Sequence, residues 1–343
     1  MGNKHPETLD SVNRMGQQMA FEGRREESLG FYREAMDGFE ALYGPKHPAT
    51  LTALSNVGTA LEALGQYAAA EPFFRKALQG RRVVLGDDHR DTMISISNMA
   101  ALLGSLDRPD EALPLYREAL DKRRQLLGSD HPDTLRSISN LSVFLADNKR
   151  FDEAEPYYRE ALVGRRRVLG REHPHTLLSV NNLGYLMDET GRLAEAEIHY
   201  QEALSISRKV RGDGHPRTLI AMNNLASLLH KLERFELAEA LANEAVTRGR
   251  QSLAEGHWYL GVFLNRHGRE LAALGRHEQA VAAMLEAHQV FVAALGAEDK
   301  GTKVVVESLI DTYTEWHEAA PAAGHDERAR YWQTMLNPEE AVP

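Results

Sequence analysis

The chain has 343 residues, 43% hydrophobic and 26% charged, with a formal net charge of −10 and no cysteine. That composition carries enough apolar material to fold in water and excludes disulfide frameworks, thiol nucleophiles and cysteine-ligated zinc or iron–sulfur sites. With 40 Lys and Arg against 50 Asp and Glu, a broad nucleic-acid-binding surface is not expected, because neutralising phosphates requires a basic field. No window of 18 apolar residues exists and the opening MGNKHPETLD lacks the features of a signal peptide, so the expectation is a cytoplasmic protein that neither spans nor binds a membrane. Arg (31) far outnumbers Lys (9) and Ala is abundant, a usage that fits a GC-rich bacterial genome.

Taken in chain order, one histidine returns every 42 residues: His5, His47, His89, His131, His173, His215 and His257. Thr stands three residues after it at Thr8, Thr50, Thr92, Thr134, Thr176 and Thr218, and Gly44, Gly86, Gly128, Gly170, Gly212 and Gly296 share the lattice. A period kept without insertion means that each unit packs on the next in the same way, which is the signature of a solenoid. The expected units are 5–46, 47–88, 89–130, 131–172, 173–214, 215–256 and 257–298, then a degenerate capping hairpin at 299–337 and a tail at 338–343. In the fifth unit, Leu177, Val180, Leu183, Leu186 and Met187 have helical spacing, Gly191 interrupts, and Leu193, Ala196, Tyr200, Ala203 and Leu204 begin a second helix. Each unit is therefore a helical hairpin. Pro after the His suits a first helical turn, and Gly after the last apolar residue suits a left-handed C-cap. Pro72, Pro114 and Pro156, a turn or so into the second helices, predict a slight bend that the helix survives.

Leu183, Gly184, Gly191, Ala196, Tyr200 and Ala203 follow the tetratricopeptide pattern, and the 42-residue version with HPxTL, NNL and EAEPxYREAL resembles the kinesin light chain subtype. The resemblance covers nearly the whole chain and implies an all-α solenoid, a right-handed superhelix of about eight hairpins whose first helices line a concave face. The closing stretch LIDTYTEWHEAAPAAGHDERARYWQTML also resembles the last unit of tetratricopeptide tails on bacterial serine/threonine kinases.

Asn56, Asn98, Asn140, Asn182 and Asn224 precede the L-G position in five consecutive units. An amide offers both donors and an acceptor, which an extended peptide backbone needs, and the resemblance implies contact with ligand main chain. The alternative role is a bond between neighbouring helices. The same register carries Arg14 in the first unit and Arg266 in the seventh, while Asn181, Asn223 and Asn265 stand one residue earlier, where other units have Ser55, Ser97 and Ser139. Arg136, Arg269 and Tyr185 are further first-helix positions expected to face the groove, the arginines as carboxylate partners. Kinesin light chains hold peptides with a Trp flanked by acidic residues; the cations here are sparser, so an acidic motif in the partner is compatible but not required. The arginine and lysine runs at Arg81 and Arg82, Lys122 to Arg124 and Arg165 to Arg167 read as solvated charges at second-helix C-termini.

Lattice-mate histidines sit a repeat apart, at least ~8–10 Å by helix packing distance, too far to share a metal, and the repeated His reads as a turn residue packing between units. The aromatic stripe at 32, 74, 116, 158 and 200 reads as core. No Walker A, GxSxG, GxGxxG or HExxH motif occurs, and neither a catalytic residue nor a cofactor is expected. The functional expectation is a scaffold binding a protein or peptide in the concave groove. The alternative is a regulatory module of a bacterial kinase, protease or STAND-type ATPase, motivated by the four residues that precede the first unit.

Overall fold

The computed structural model describes residues 5–336, which form sixteen α-helices, one 3₁₀ turn (Pro321–Ala323) and no strand. They fall into two compact units divided between Val168 and Leu169. The first unit holds α1 (Pro6–Phe21), α2 (Arg25–Tyr43), α3 (Pro48–Ala63), α4 (Tyr67–Leu85), α5 (Arg90–Ser105), α6 (Pro109–Leu127), α7 (Pro132–Asp147) and α8 (Phe151–Leu169), which runs up to the division. The second holds α9 (Pro174–Glu189), α10 (Leu193–Arg211), α11 (Pro216–Lys231), α12 (Phe235–Ser252), α13 (Tyr259–Ala273), α14 (His277–Leu295), α15 (Lys300–Ala319) and α16 (His325–Leu336). Consecutive helices pack on one another from α1 to α7 in the first unit and from α9 to α16 in the second, the second helix of one hairpin against the first of the next. This is the helix-pair stacking of an α-solenoid.

The close approach inside a hairpin explains the L-G position. A Cβ on Gly16, Gly58 or Gly184 would lie 2.8, 3.0 or 2.9 Å from the ring of Tyr32, Phe74 or Tyr200, so the aromatic stripe seats against a bare backbone. Those rings are buried with the alanines three residues on, Ala35, Ala77 and Ala203. Pro72, Pro114 and Pro156 sit inside α4, α6 and α8, each of which runs unbroken for 19 residues.

The lattice residues between hairpins form one turn. Thr50, Thr92, Thr176 and Thr302 each donate a hydroxyl at 2.8 Å to the carbonyl of Gly44, Gly86, Gly170 and Gly296, respectively. The glycines have φ of 82° to 96° where ψ is 165° to 171°. This is a more extended, glycine-only conformation than the left-handed C-cap that the sequence suggested. The repeated histidine lies in this turn, where His47 stacks on Tyr43 of the preceding hairpin, and it has a further role. The Nδ1 of His47, His89, His131, His173, His215 and His257 accepts the backbone N–H two residues on, at 3.1 to 3.2 Å. It is an N-cap acceptor, the job that Asp299 does for α15 by accepting from Gly301.

The expectation of solvated arginine runs holds only in part. Arg82, Arg124, Arg208 and Arg250 lie on the surface and each pairs with a glutamate 36 residues on, Glu118, Glu160, Glu244 and Glu286, stitching second helices together. Arg81, Arg123 and Arg165, by contrast, are 4–5% exposed. From α4, the Arg81 guanidinium reaches between two first helices, donating to Thr52 and Ser55 of α3 and at 2.7 Å to Ser95 of α5. Arg123 repeats the motif with Ser97, Ser137 and the Met93 carbonyl. Burial pushes both guanidinium pKa values down, and the hydroxyls supply the acceptors that water would otherwise provide.

Within hairpins, the turn takes positive φ at Gly23, Gly65, Gly191 and Gly275, but Lys149 (59°) and Glu233 (57°) occupy the same register. Left-handed backbone costs a residue with a Cβ about 1 kcal/mol. Lys149→Gly and Glu233→Gly are therefore each expected to raise the melting temperature, by about 1 kcal/mol of stability less the entropy that glycine adds to the unfolded chain, as measured by calorimetry.

Burial, and then the neighbouring cations Arg211 and Arg217, hold the His215 imidazole below the ordinary histidine range. Because the folded value is the lower one, its stabilising contribution is complete above ~6.5 and is lost as pH falls below that toward the folded value. Melting temperature is expected to drop between pH 7 and 5, and His215→Asp, which caps without titrating in that window, to make the drop shallower.

Candidate functional site

The predicted amide register lies on first helices in both units. In the first unit, Asn56 donates to Asn13 Oδ1 at 2.8 Å, and in the second, Asn224 donates to Asn181 Oδ1 at 2.9 Å. The register thus links each Asn to the residue before its lattice mate in the preceding hairpin, wherever that residue is also Asn. Where it is serine the pairing is absent: among the described residues the side chains of Asn98, Asn140 and Asn182 make no hydrogen bond. Asn140 lies exposed and the other two half-buried. The remaining first-unit candidates are surface groups: Arg14 donates to the Asp10 carbonyl at 3.3 Å, and Arg136 pairs with Asp133 at 2.9 Å. Tyr185 is 36% exposed on α9.

The second unit brings several candidates together. Asn223 of α11, Asn265, Arg266 and Arg269 of α13 and Lys300 at the start of α15 line a cleft of ≈ 360 Å³. Its apolar lining comes from Val262, Val304 and the Phe291 ring of α14. Phe291 reaches this place because glycines face it on both sides: a Cβ on Gly261 or Gly301 would lie 2.8 or 2.7 Å from the ring. Asn265 is 8% exposed, and the Oδ1 atoms of Asn223 and Asn265 are buried with no hydrogen-bond partner. A buried acceptor left unmet costs about 1–3 kcal/mol, so two side by side mark a place that a donor is suited to fill.

Arg266 and Arg269 have different surroundings. Arg266 is drawn inward, its side chain 16% exposed, donating to Glu270 at 3.4 Å and to Ser227 Oγ at 3.0 Å. Glu270 is fully buried and also meets His230 Nδ1 at 2.7 Å. Ser227, Arg266, Glu270 and His230 thus form one polar chain between α11 and α13. Arg269 and Lys300 are both exposed, and neither makes an ion pair among the described residues. The cleft therefore presents two uncommitted cations beside two unmet amide acceptors on an apolar floor. Lys300, Phe291 and Glu270 were missing from the sequence-based candidates. Their signal was departure from the lattice: Glu270 stands where earlier hairpins have Leu228 and Leu102, and Phe291 where they have Arg81 and Arg123.

Among the described residues no group of three His, Asp or Glu side chains is placed to hold a metal ion, and no helix is long and apolar enough to cross a membrane.

The buried Arg266–Glu270 pair gives a stability test. Removing one partner of such a pair strands the other charge, so Glu270→Leu should destabilise the chain by about 3–5 kcal/mol. Arg266→Asn together with Glu270→Leu installs the residues found at Asn224 and Leu228 and is expected to recover most of that loss in a denaturant titration.

A tetratricopeptide repeat family model matches residues 7–82, 50–125, 91–143, 136–209 and 181–251. The chain matches none of the curated proteins. Among solved structures it is similar to a Podosopora anserina protein of kinesin light chain type with nearly identical TPR-like repeats, at 21% identity over 61% of this chain and 99% of that one, TM-score 0.55. It is also similar to a Rap protein complexed with competence and sporulation factor, at 14% identity over 96% and 91%, TM-score 0.58. A third similar structure is a STAND protein with a tetratricopeptide repeat sensor from Pyrococcus horikoshii, at 12% identity over 98% of this chain and 50% of that one, TM-score 0.68. With matches across five overlapping windows and the hairpin stacking described above, the chain belongs to the tetratricopeptide repeat family.

Proposed function

We propose that the chain is a non-catalytic interaction module whose first helices bind an extended peptide segment of a protein partner. The observation that carries this reading is the pair of unmet amide acceptors, Asn223 and Asn265, beside the uncommitted Arg269 and Lys300. A peptide in extended conformation offers N–H donors to the amides, and a carboxylate on it meets the cations. On the same face, Asn181, Asn182, Asn224 and Tyr185 extend the contact in the second unit. Asn56, Asn98 and Asn140, with Arg14 and Arg136, are the corresponding set in the first unit. The amides already paired with Asn13 and Asn181 keep a second donor for a ligand, so bonding between helices and bonding to peptide are compatible roles.

A Rap protein bound to competence and sporulation factor and a STAND protein's repeat sensor have this fold, and they motivate a second reading, in which the same face regulates an effector. Both readings require a ligand on the first helices.

Selection of a random peptide library on the full chain tests this. Recovered peptides are expected to lose about tenfold or more in affinity for an Asn223→Ala/Asn265→Ala variant of unchanged helicity, since each lost hydrogen bond contributes ~0.5–1.5 kcal/mol. Peptides that bind wild type and variant equally would place the site elsewhere.

A further inference from the structure

Resting on the peptide-binding reading, a second subsite emerges from how adjacent first helices are held apart. One second-helix residue enters the gap between two first helices, and a first-helix residue 14 positions on meets it there. Within the two units these pairs are Phe39 with Ala53, Arg81 with Ser95, Arg123 with Ser137, Ser207 with Ala221, Gly249 with Phe263 and Phe291 with Val305. In five of the six at least one member is large. Arg81 and Arg123 fill their gaps directly through hydrogen bonds to their serines. Where the second-helix residue is Gly249, the Phe263 ring comes from the other side to 3.4 Å of its Cβ position. Only Ser207 with Ala221 is small on both sides, and there the structure has an open slot of ≈ 120 Å³ between α9 and α11.

The charges at that slot are inverted with respect to its lattice mates. In the first unit the gap holds a buried guanidinium, and a carboxylate, Asp91 or Asp133, is close enough to favour its charge. In the second unit the guanidinium is gone and Asp91 and Asp133 are replaced by Arg217. A further cation, Arg211, stands where the other second helices have Leu85, Leu127 and Leu169. Arg211 and Arg217 both line the slot, and neither makes an ion pair among the described residues. Arg211 has only a long 3.5 Å bond to Ser207 Oγ. Burial and the repulsion of Arg217 push its pKa down. The third polar group is Asn181, whose Oδ1 is occupied by Asn224, leaving its Nδ2 to donate. Leu177, Leu178 and Ile220 supply apolar walls.

We infer that this slot receives the side-chain carboxylate of an acidic residue on the bound peptide. The geometry offers donors from two guanidinium groups and an amide, room for one side chain in place of the missing arginine, and apolar walls for its methylenes. A bare inorganic anion would leave those walls unused.

The test uses the full chain with arginine Nε–Hε resonances as the readout and three probes: N-acetyl-glutamate N-methylamide, its glutamine counterpart and inorganic phosphate. The glutamate probe is expected to shift Arg211 and Arg217 saturably at about millimolar concentration, with Arg81 and Arg123 unmoved. The glutamine probe should give no saturable shift, and phosphate a weaker one than glutamate. Arg211→Leu and Arg217→Asp, which install the residues other hairpins carry and so preserve the fold, are each expected to weaken glutamate binding about tenfold or more; Ser207→Arg should fill the slot and abolish it. Equal response to glutamine, tighter binding of phosphate, no saturable shift, or glutamate binding that survives these substitutions would each overturn the inference. If library peptides still depend on Asn223 and Asn265 in that event, the carboxylate slot falls while the peptide-binding reading stands.

Discussion

The gap between neighbouring first helices is the constraint on which the rest of the structure depends. The fixed 42-residue period brings a second-helix residue to that gap at the same place every time, and the gap is filled from there by Phe39, Arg81, Arg123 and Phe291, from the first helix by Phe263 opposite Gly249, and left open at Ser207. A guanidinium suits the task in the first unit because serine and threonine hydroxyls surround it, converting a costly buried charge into a set of satisfied hydrogen bonds that span two hairpins. The turns, caps and surface ion pairs then repeat because the gap repeats. The Thr-to-Gly bond and the histidine cap fix where each first helix starts, and the arginine to glutamate pairs 36 residues apart tie the outer helices together.

Where the filling changes, the surface changes with it. In the second unit the series runs through serine, glycine and phenylalanine, and the polar groups that satisfied the arginines are replaced at the same time: Ser95 and Ser137 by Ala221 and Phe263, and Asp91 by Arg217. These paired substitutions leave polar groups short of partners within the chain, unmet amide acceptors beside Phe291 and unpaired cations beside Ser207. The first unit is therefore internally satisfied at Arg81 and Arg123, whereas the second has unmet hydrogen-bonding capacity for a ligand. The buried Glu270 belongs to the same division of labour, because it holds Arg266 inward and leaves Arg269 and Lys300 as the outward charges.

Most of the fold was legible in the residues. Periodicity gave the hairpins, and the L-G and aromatic positions gave their packing, because both reflect contacts made identically in every unit. Three features were not legible. Arg81 and Arg82 are adjacent and chemically alike, yet one is buried and the other is a surface ion-pair partner, a difference set by the 100° between successive helix positions and by hydroxyls some 14 to 29 residues distant. The capping role of the histidine was hidden because an imidazole is an uncommon N-cap and its tautomer is set only by the folded turn. Lys300 and Phe291 carry no signal in the pattern the units share, because a binding site in a repeat protein is written in what one unit has changed.

The proposed recognition surface lies on the first helices of the second unit. Amide hydrogen exchange of the full chain, with and without a library-selected peptide, locates that surface helix by helix. Added protection is expected in α9, α11, α13 and α15, with the second helices α4 and α6 unchanged. Protection confined to second helices, or to the arginine-filled gaps of the first unit, would contradict this placement.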